Sequence, residues 1–371
     1  MMIKTLFIGL LSLVLFASST QAYDLGSAAG PGGLSITAFD RDSKRQIGGY
    51  FDTEFFKGDG YSKFVAHRLV FEVSSYLHPN LLFNSEIEYE YGADTDNQGE
   101  IKIEQLWIDF EISEWMTYRT GIVVVPFGIV NILHDSDVRD TTNRPIYSKY
   151  IVPSTWMDTG VGIHGLFDKQ DWEFAYSAFV LNGLTSTRHQ VTDNYGIRKL
   201  RPNFKEDNNE NKAVVLRFTA SPFQGSTAGT SYYTGNHDDE DNSNLSMIGL
   251  DAMFKKGPFE ILGEWAKVDV EGQDINTLSG YYVETRYHLP ATFAIFKQNF
   301  DRPVFTLFAR ISEVDPDTDN ETQYDRTQVT LGINYRPVDT VVYKCAYEFN
   351  SEAVDNGVDN DQLVLSVAVG F

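Results

Sequence analysis

Residues 81–91 read Leu81-Leu82-Phe83-Asn84-Ser85-Glu86-Ile87-Glu88-Tyr89-Glu90-Tyr91. In an extended chain successive side chains point to opposite faces, so Leu81, Phe83, Ile87, Tyr89 and Tyr91 share one side and Asn84, Glu86, Glu88 and Glu90 the other. A charge facing lipid at mid-depth costs about 2–4 kcal/mol for Arg or Lys, whereas one facing a wet lumen costs little. If this strand crosses a membrane, its polar face points inward, toward a hydrated interior and not a packed core.

The same alternation recurs on either side. In one run Val65, Leu69, Phe71, Val73 and Leu77 take one face and Arg68, Glu72, Ser74 and Tyr76 the other; further on, Tyr343, Cys345, Tyr347 and Phe349 oppose Lys344, Ala346 and Glu348. Sixteen such runs can be drawn, over 46–56, 63–77, 81–91, 100–112, 116–125, 159–167, 171–182, 211–220, 227–235, 244–255, 258–270, 278–289, 303–313, 325–336, 340–350 and 361–371. A barrel strand gives lipid only every second residue, which hides it from hydropathy averaging despite 26 Phe, 20 Tyr and 5 Trp. The expectation is an all-β fold, a transmembrane antiparallel β-barrel of about sixteen strands over 46–371.

The connections support it. Outer-membrane barrels alternate short periplasmic turns with longer outer loops, and here His78-Pro79-Asn80, Ser113 to Met116, Asp168 to Gln170, Lys256-Gly257-Pro258 and Pro337 to Asp339 alternate with long stretches such as Gly92 to Gly99, Pro126 to Thr159 and Gly183 to Asn211. Pro290 to Arg302 breaks the rule. A water-soluble β-sandwich would also alternate, but it would not explain this pattern, nor a last strand placing Leu363, Leu365, Val367, Val369 and Phe371 on one face, as the insertion signals of outer-membrane proteins do.

Residues 1–22 read as a signal peptide: Lys4, an apolar run from Thr5 to Ala17, then small and polar residues to Ala22. That run is too short to span a membrane, which takes about 20 residues. Residues 23–45 become a periplasmic lead-in carrying the Gly30 to Gly33 run. Without the leader, 29 bases face 52 acids, which argues against nucleic acid as a partner. One cysteine, Cys345, permits no internal disulfide. The seven histidines show no metal-binding pair, and no nucleophile elbow or phosphate-cradling glycine loop appears, so neither an enzyme, a metal nor a cofactor is expected. His67 and His164 fall in strands beside polar neighbours. The acid-rich stretches 94–96, 237–241 and 315–321 read as solvated outer loops, with divalent bridging to lipopolysaccharide as the sharper alternative; the last lacks the turn glycine and closing Glu of a calcium loop.

The connection over 126–159 is too long for an idle loop. It runs Pro126-Phe127-Gly128-Ile129-Val130-Asn131, His134-Asp135-Ser136-Asp137-Val138-Arg139-Asp140, Asn143-Arg144-Pro145-Ile146-Tyr147 and Pro153-Ser154-Thr155-Trp156, before Gly160-Val161-Gly162. These motifs, with Arg119-Thr120-Gly121 ahead of them, resemble the phosphate-selective porin O and P family, and the barrel pattern extends the resemblance over nearly all of the mature chain. The resemblance implies a sixteen-stranded homotrimeric porin in the outer membrane of a Gram-negative-type bacterium, passing small solutes or ions, with anions such as phosphate suggested. It also implies that the 126–159 loop folds inward as a constriction lined by Asp135, Asp137, Arg139, Asp140, Arg144 and Lys149.

Opposite them stand the inward-facing bases Arg68, Arg119, Arg217, Arg286, Arg310 and Lys344, chosen because their neighbours at odd spacing are apolar; the plain alternative for each is neutralisation by an acid such as Glu72, Glu284 or Glu348. On the filter reading, replacing Arg119 and Arg144 with Ala lowers relative anion permeability. Selective phosphate binding needs several Arg or Lys converging on one oxyanion. The loop offers three bases interleaved with three acids, so the residues themselves leave anion against cation preference open. A non-conducting barrel serving as receptor, adhesin or envelope scaffold is the competing function.

Overall fold

The computed structural model describes residues 29–30, 34–35, 45–93, 99–202, 204–205, 207–290, 300, 303–354 and 360–371. The leader, most of the lead-in, Asp94-Thr95-Asp96 and nearly all of the irregular 290–302 stretch lie outside them. Two-residue segments at Ala29–Gly30 and Leu34–Ser35 pair antiparallel ahead of the main sheet.

That sheet is a closed antiparallel barrel of sixteen strands. They are β1 Arg45–Gly58, β2 Tyr61–His78, β3 Leu81–Glu90, β4 Glu100–Ser113, β5 Met116–Val124, β6 Met157–Lys169, β7 Trp172–Leu181, β8 Ala213–Phe223, β9 Ser226–Asn236, β10 Asn244–Lys256, β11 Phe259–Val270, β12 Thr277–Pro290, β13 Val304–Asp315, β14 Arg326–Val338, β15 Val341–Glu352 and β16 Gln362–Gly370. Each neighbours the next in sequence, and β16 pairs with β1 from Gln362↔Gly58 to Gly370↔Tyr50. Gly49 and Phe371 exchange two backbone hydrogen bonds beyond that ladder, so no sheet edge is left open. Among the described residues no helix is long and apolar enough to cross a membrane.

Every expected strand is present. The long-short alternation holds with two exceptions: the two-residue turn Asp59-Gly60, which joins β1 and β2 at the end where the long loops gather, and the long connection between Pro290 of β12 and Val304 of β13 at the opposite end. At the opposite end aromatic rings form a girdle: Trp172 stacks on Phe174, Phe174 on Phe218, and Phe305 on Tyr335, as amphipathic rings do at membrane interfaces. Cys345 faces outward between Ile333 and Leu365.

Two bulges change which side chains face the lumen. In β2, Asp52 pairs with Arg68 and Thr53 with Ala66, so His67 is an extra residue. Phe64 is then the outward residue, 86% exposed, and Val65 turns inward with its partner Glu54, contrary to its expected place beside Leu69. In β4, Glu86 pairs with Gln105 and Ile87 with Ile103, which leaves Glu104 extra and sends both Glu104 and Gln105 inward.

The expectation of a wholly hydrated interior is also corrected. Phe127, Tyr147, Ile151 and Trp156 of the 125–156 connection pack with Leu184, Ile197 and Leu200 of the 182–212 connection and with wall residues such as Phe179, Val215, Leu245, Val268 and Leu278. This apolar core occupies the outer-loop half of the lumen beside β5 to β13, whose short-turn halves carry inward charges such as Arg119, Asp251, Glu264 and Arg310. The wall running through the seam, from β14 round to β4, stays polar, because there the inward positions hold Asn334, Lys344, Glu348, Asp52, Arg68, Glu86 and Glu104.

Candidate constriction site in the barrel lumen

The 125–156 connection leaves the wall at the end of β5, crosses the lumen and returns to β6. Its entry turn needs glycine: Gly128 has φ +68°, and a Cβ there would collide with the Glu264 carboxylate. Glu264 accepts the Val130 amide and, at 2.8 Å, the Tyr282 hydroxyl. Asn131 draws the two ends of the loop together, donating to the Val125 and Trp156 carbonyls and accepting the Trp156 amide at 2.8 Å. A single turn of helix, α1 Tyr147–Tyr150, packs Tyr147 against the ring of Tyr282.

Between these anchors the loop is tied to the polar wall on every side. Tyr50 of β1 donates to Asp135 at 2.9 Å, Thr142 meets Ser366 of β16 at 3.0 Å, and Asn143 donates to Glu348 of β15 at 3.0 Å. Asp140 accepts from Asn334 at 2.9 Å and lies 3.3 Å from Arg336 and 3.5 Å from Arg286. Burial alone would raise Asp140, but the guanidinium groups of Arg286 and Arg336 hold it at about 2. Asp137 is the opposite case. Burial, with the Asp135 carboxylate behind it, pushes Asp137 up to about 6 against the pull of a backbone amide, Lys344 and Arg336.

Two of the three bases in this loop, Arg139 and Arg144, face its own backbone. Arg139 donates to the carbonyls of Asp135, Thr141 and Thr142 and to the Ser136 hydroxyl. Arg144 forks onto the His134 carbonyl at 3.1 and 3.0 Å and reaches Ser154. Lys149 is half-buried, 5.2 Å from the centre of the Tyr150 ring. Arg139 and Arg144 stiffen the loop by satisfying carbonyls that a non-helical turn would otherwise leave unpaired.

All six wall bases point into the barrel, and each is engaged. Arg68 pairs with Glu88 at 2.7 Å and Glu90 at 3.3 Å, and Arg217 forks to Asp251. Arg119 forks to Asp109, Arg286 joins Glu284 and Glu260, and Arg310 lies 3.5 Å from Glu284 while donating to Thr141 and the Asn143 carbonyl. Lys344 donates to the Ser136 and Thr141 carbonyls. The anticipated neutralising acid is Glu284 for two of them.

The two strand histidines join carboxylates too, His67 with Asp52 at 2.8 Å and His164 with Asp109 at 3.3 Å. In the outer loops, Asp238 accepts the Asn242 and Ser243 amides and Asp317 the Asp319 amide, so these acids cap their own turns. Arg336, Tyr50, Glu104 and His134 escaped the sequence reading. For Glu104 a signal existed: apolar residues in β4 occupy 101 and 103, then 106, 108, 110 and 112, and that change of parity marks the bulge.

A family model described as phosphate-selective porin O and P matches residues 48–368. A protein of Aquifex aeolicus (strain VF5), described as uncharacterized, is 25% identical over 356 residues, covering 88% of this chain and 80% of that protein. The trimer form of in-vitro folded OmpT, an outer membrane protein of Vibrio cholerae, superposes with a TM-score of 0.54 at 10% identity, covering 88% of this chain and 99% of its own. An anion-selective porin from Comamonas acidovorans superposes with a TM-score of 0.55 at 10% identity, again covering 88% and 99%.

Proposed function

The chain belongs to the phosphate-selective porin O and P family and is a porin of the outer membrane, and from that premise we propose that it passes small hydrophilic solutes and ions by diffusion beside the 125–156 loop, with weak preference between anions and cations. The observation that carries weak preference is the engagement of every candidate base: five of the six wall residues sit against a carboxylate and Lys344 against two carbonyls. A phosphate filter works by offering several unengaged cations to one oxyanion. Paired charges instead give a lumen of alternating sign, whose remaining imbalance biases ions only over the screening length of about 8 Å at physiological salt.

We further propose that the chain is exported by its leader and assembles as a homotrimer among lipid and lipopolysaccharide; the trimeric OmpT superposition supports the assembly. The purified protein in a planar bilayer should give stepwise conductance with a reversal potential close to zero under a salt gradient. Repeated absence of steps from folded barrels would sink diffusion, and block of chloride current by phosphate would restore the selectivity in the family's description.

The second reading is a closed barrel acting as receptor, adhesin or envelope scaffold. It is favoured by one observation, the apolar core that two long loops build inside the lumen.

A further inference from the structure

Three acceptor atoms meet beneath the loop, and two of them have no donor; the third, Asp135 Oδ1, accepts from the Tyr50 hydroxyl. Glu104 is 2% exposed, His134 is 1% exposed, and both Glu104 Oε2 and His134 Nε2 are buried without a hydrogen-bond partner. His134 Nε2 lies 3.6 Å from Glu104 Oε2 and 3.5 Å from Asp135 Oδ1, and the three atoms lie within 4.8 Å of one another. Nδ1 of His134 is 2.8 Å from the Asn131 carbonyl. A carbonyl only accepts, so Nδ1 carries the hydrogen, and in the neutral ring Nε2 presents its lone pair to the two carboxylates.

Such an arrangement repels itself unless a cation sits in the middle. A proton on Nε2 would draw the ring to one carboxylate at 2.7–3.2 Å, the ordinary range for such a bond, and both separations here are longer. They match two ligands that share a metal: atoms about 2.1 Å from one ion at a tetrahedral angle are about 3.4 Å apart. We propose that Glu104, His134 and Asp135 form a divalent transition-metal site that fastens the constriction loop to the barrel wall.

The donor set selects the ion class. One imidazole with two carboxylates suits zinc or a neighbouring first-row ion, whereas magnesium and calcium take six or more oxygens. Supporting groups are in place, because the Asn131 carbonyl orients the imidazole and Tyr50 donates to Asp135 at 2.9 Å, as outer-shell partners of metal ligands do. The neighbouring guanidinium groups are turned elsewhere, Arg144 to the His134 carbonyl and Arg68 to Glu88 and Glu90. The site joins residues some thirty positions apart and depends on the β4 bulge that turns Glu104 inward. Three protein ligands leave a fourth position for water.

The test is direct binding to the full-length barrel folded in detergent, stripped of metal and dialysed against zinc, with folding verified by heat-modifiable electrophoretic mobility. One zinc per chain is expected, and cobalt in its place should give visible absorption from a low-symmetry site. Glu104→Gln and His134→Gln should each weaken binding by at least about tenfold, and Tyr50→Phe by about tenfold. Less than one zinc per chain, or unchanged binding in folded Glu104→Gln and His134→Gln barrels, overturns the site. The effect on current rests on the porin reading and is read separately: zinc should quiet open-channel noise in the parent and not in Glu104→Gln. A barrel that binds zinc through these residues yet never conducts would overturn the porin reading and sustain the metal site.

Discussion

The guanidinium of Arg119 lies 3.7 Å from the centre of the Trp107 ring while forking to Asp109 at 2.6 and 2.8 Å. The base is therefore committed twice, to a carboxylate and to an aromatic face. Replacing it with Ala leaves Asp109 buried with only His164 near it, and such a break costs about 3–5 kcal/mol. Arg119→Ala should lower the denaturant midpoint of the folded barrel. It should also shift the reversal potential toward cations, because a carboxylate is unmasked. Adding Asp109→Ala should return the reversal potential to its starting value. A double variant that stays cation-shifted would mean that Arg119 acts as a filter base in its own right.

Arg144 separates the two ways a base can matter. It contacts the His134 carbonyl and the Ser154 hydroxyl, and no carboxylate, so Arg144→Ala loosens the loop without unmasking a paired acid. The expected result is larger and noisier single-channel current with a smaller selectivity change than Arg119→Ala. A quiet channel with a large shift toward cations would assign Arg144 to ion selection instead.

Gly128→Ala places a methyl group against the Glu264 carboxylate and asks a non-glycine residue to hold φ +68°. The entry turn should detach from β11 and the loop should become a protease target within the intact barrel. Limited proteolysis followed by mass mapping of cuts in 126–156 checks this. Protection equal to the parent would show that the turn tolerates the side chain.

In the metal-free barrel Asp137 should give the channel a pH dependence. Its carboxyl is raised to about 6, so it is charged above that value and neutral below it. Between its ordinary value and about 6 the folded state holds a proton that the unfolded chain does not, so this group stabilises the fold as pH falls through that window and opposes it above. One negative charge per chain should leave the constriction between pH 7 and pH 5, moving the reversal potential toward anions. Asp137→Asn should flatten that step. An identical step in the variant would assign it to another group.

The strands were legible because lipid outside and charge inside impose a period of two that no single residue can blur: Tyr343, Cys345, Tyr347 and Phe349 alternate with Lys344, Ala346 and Glu348 in the structure as in the sequence. What one strand cannot reveal is its register against the next. Arg119 meets Asp109 and Arg217 meets Asp251 because hairpins put them side by side, so the neutralisation of the wall is a property of pairing and not of composition. The bulges at His67 and Glu104 add a residue without breaking the strand, and only the second leaves a trace in the apolar pattern. The interior core was hidden for another reason. Leu184, Ile197 and Leu200 lie in a connection whose polar residues dominate its composition, and their burial depends on the loop at 125–156 already being inside.

That core has an electrical consequence. Hydrocarbon occupies the outer-loop half of the lumen beside β5 to β13, while carboxylates and guanidinium groups line the seam side and the short-turn half of those same strands. At the level of that core, an aqueous path past the loop would lie between a poorly polarisable body and a charged wall, and field lines from the wall should be squeezed along it instead of spreading across the barrel. On the porin reading, a dipolar solute passing this level should be turned to face the seam, so that permeation would sort molecules by how their charge is distributed as well as by how much they carry.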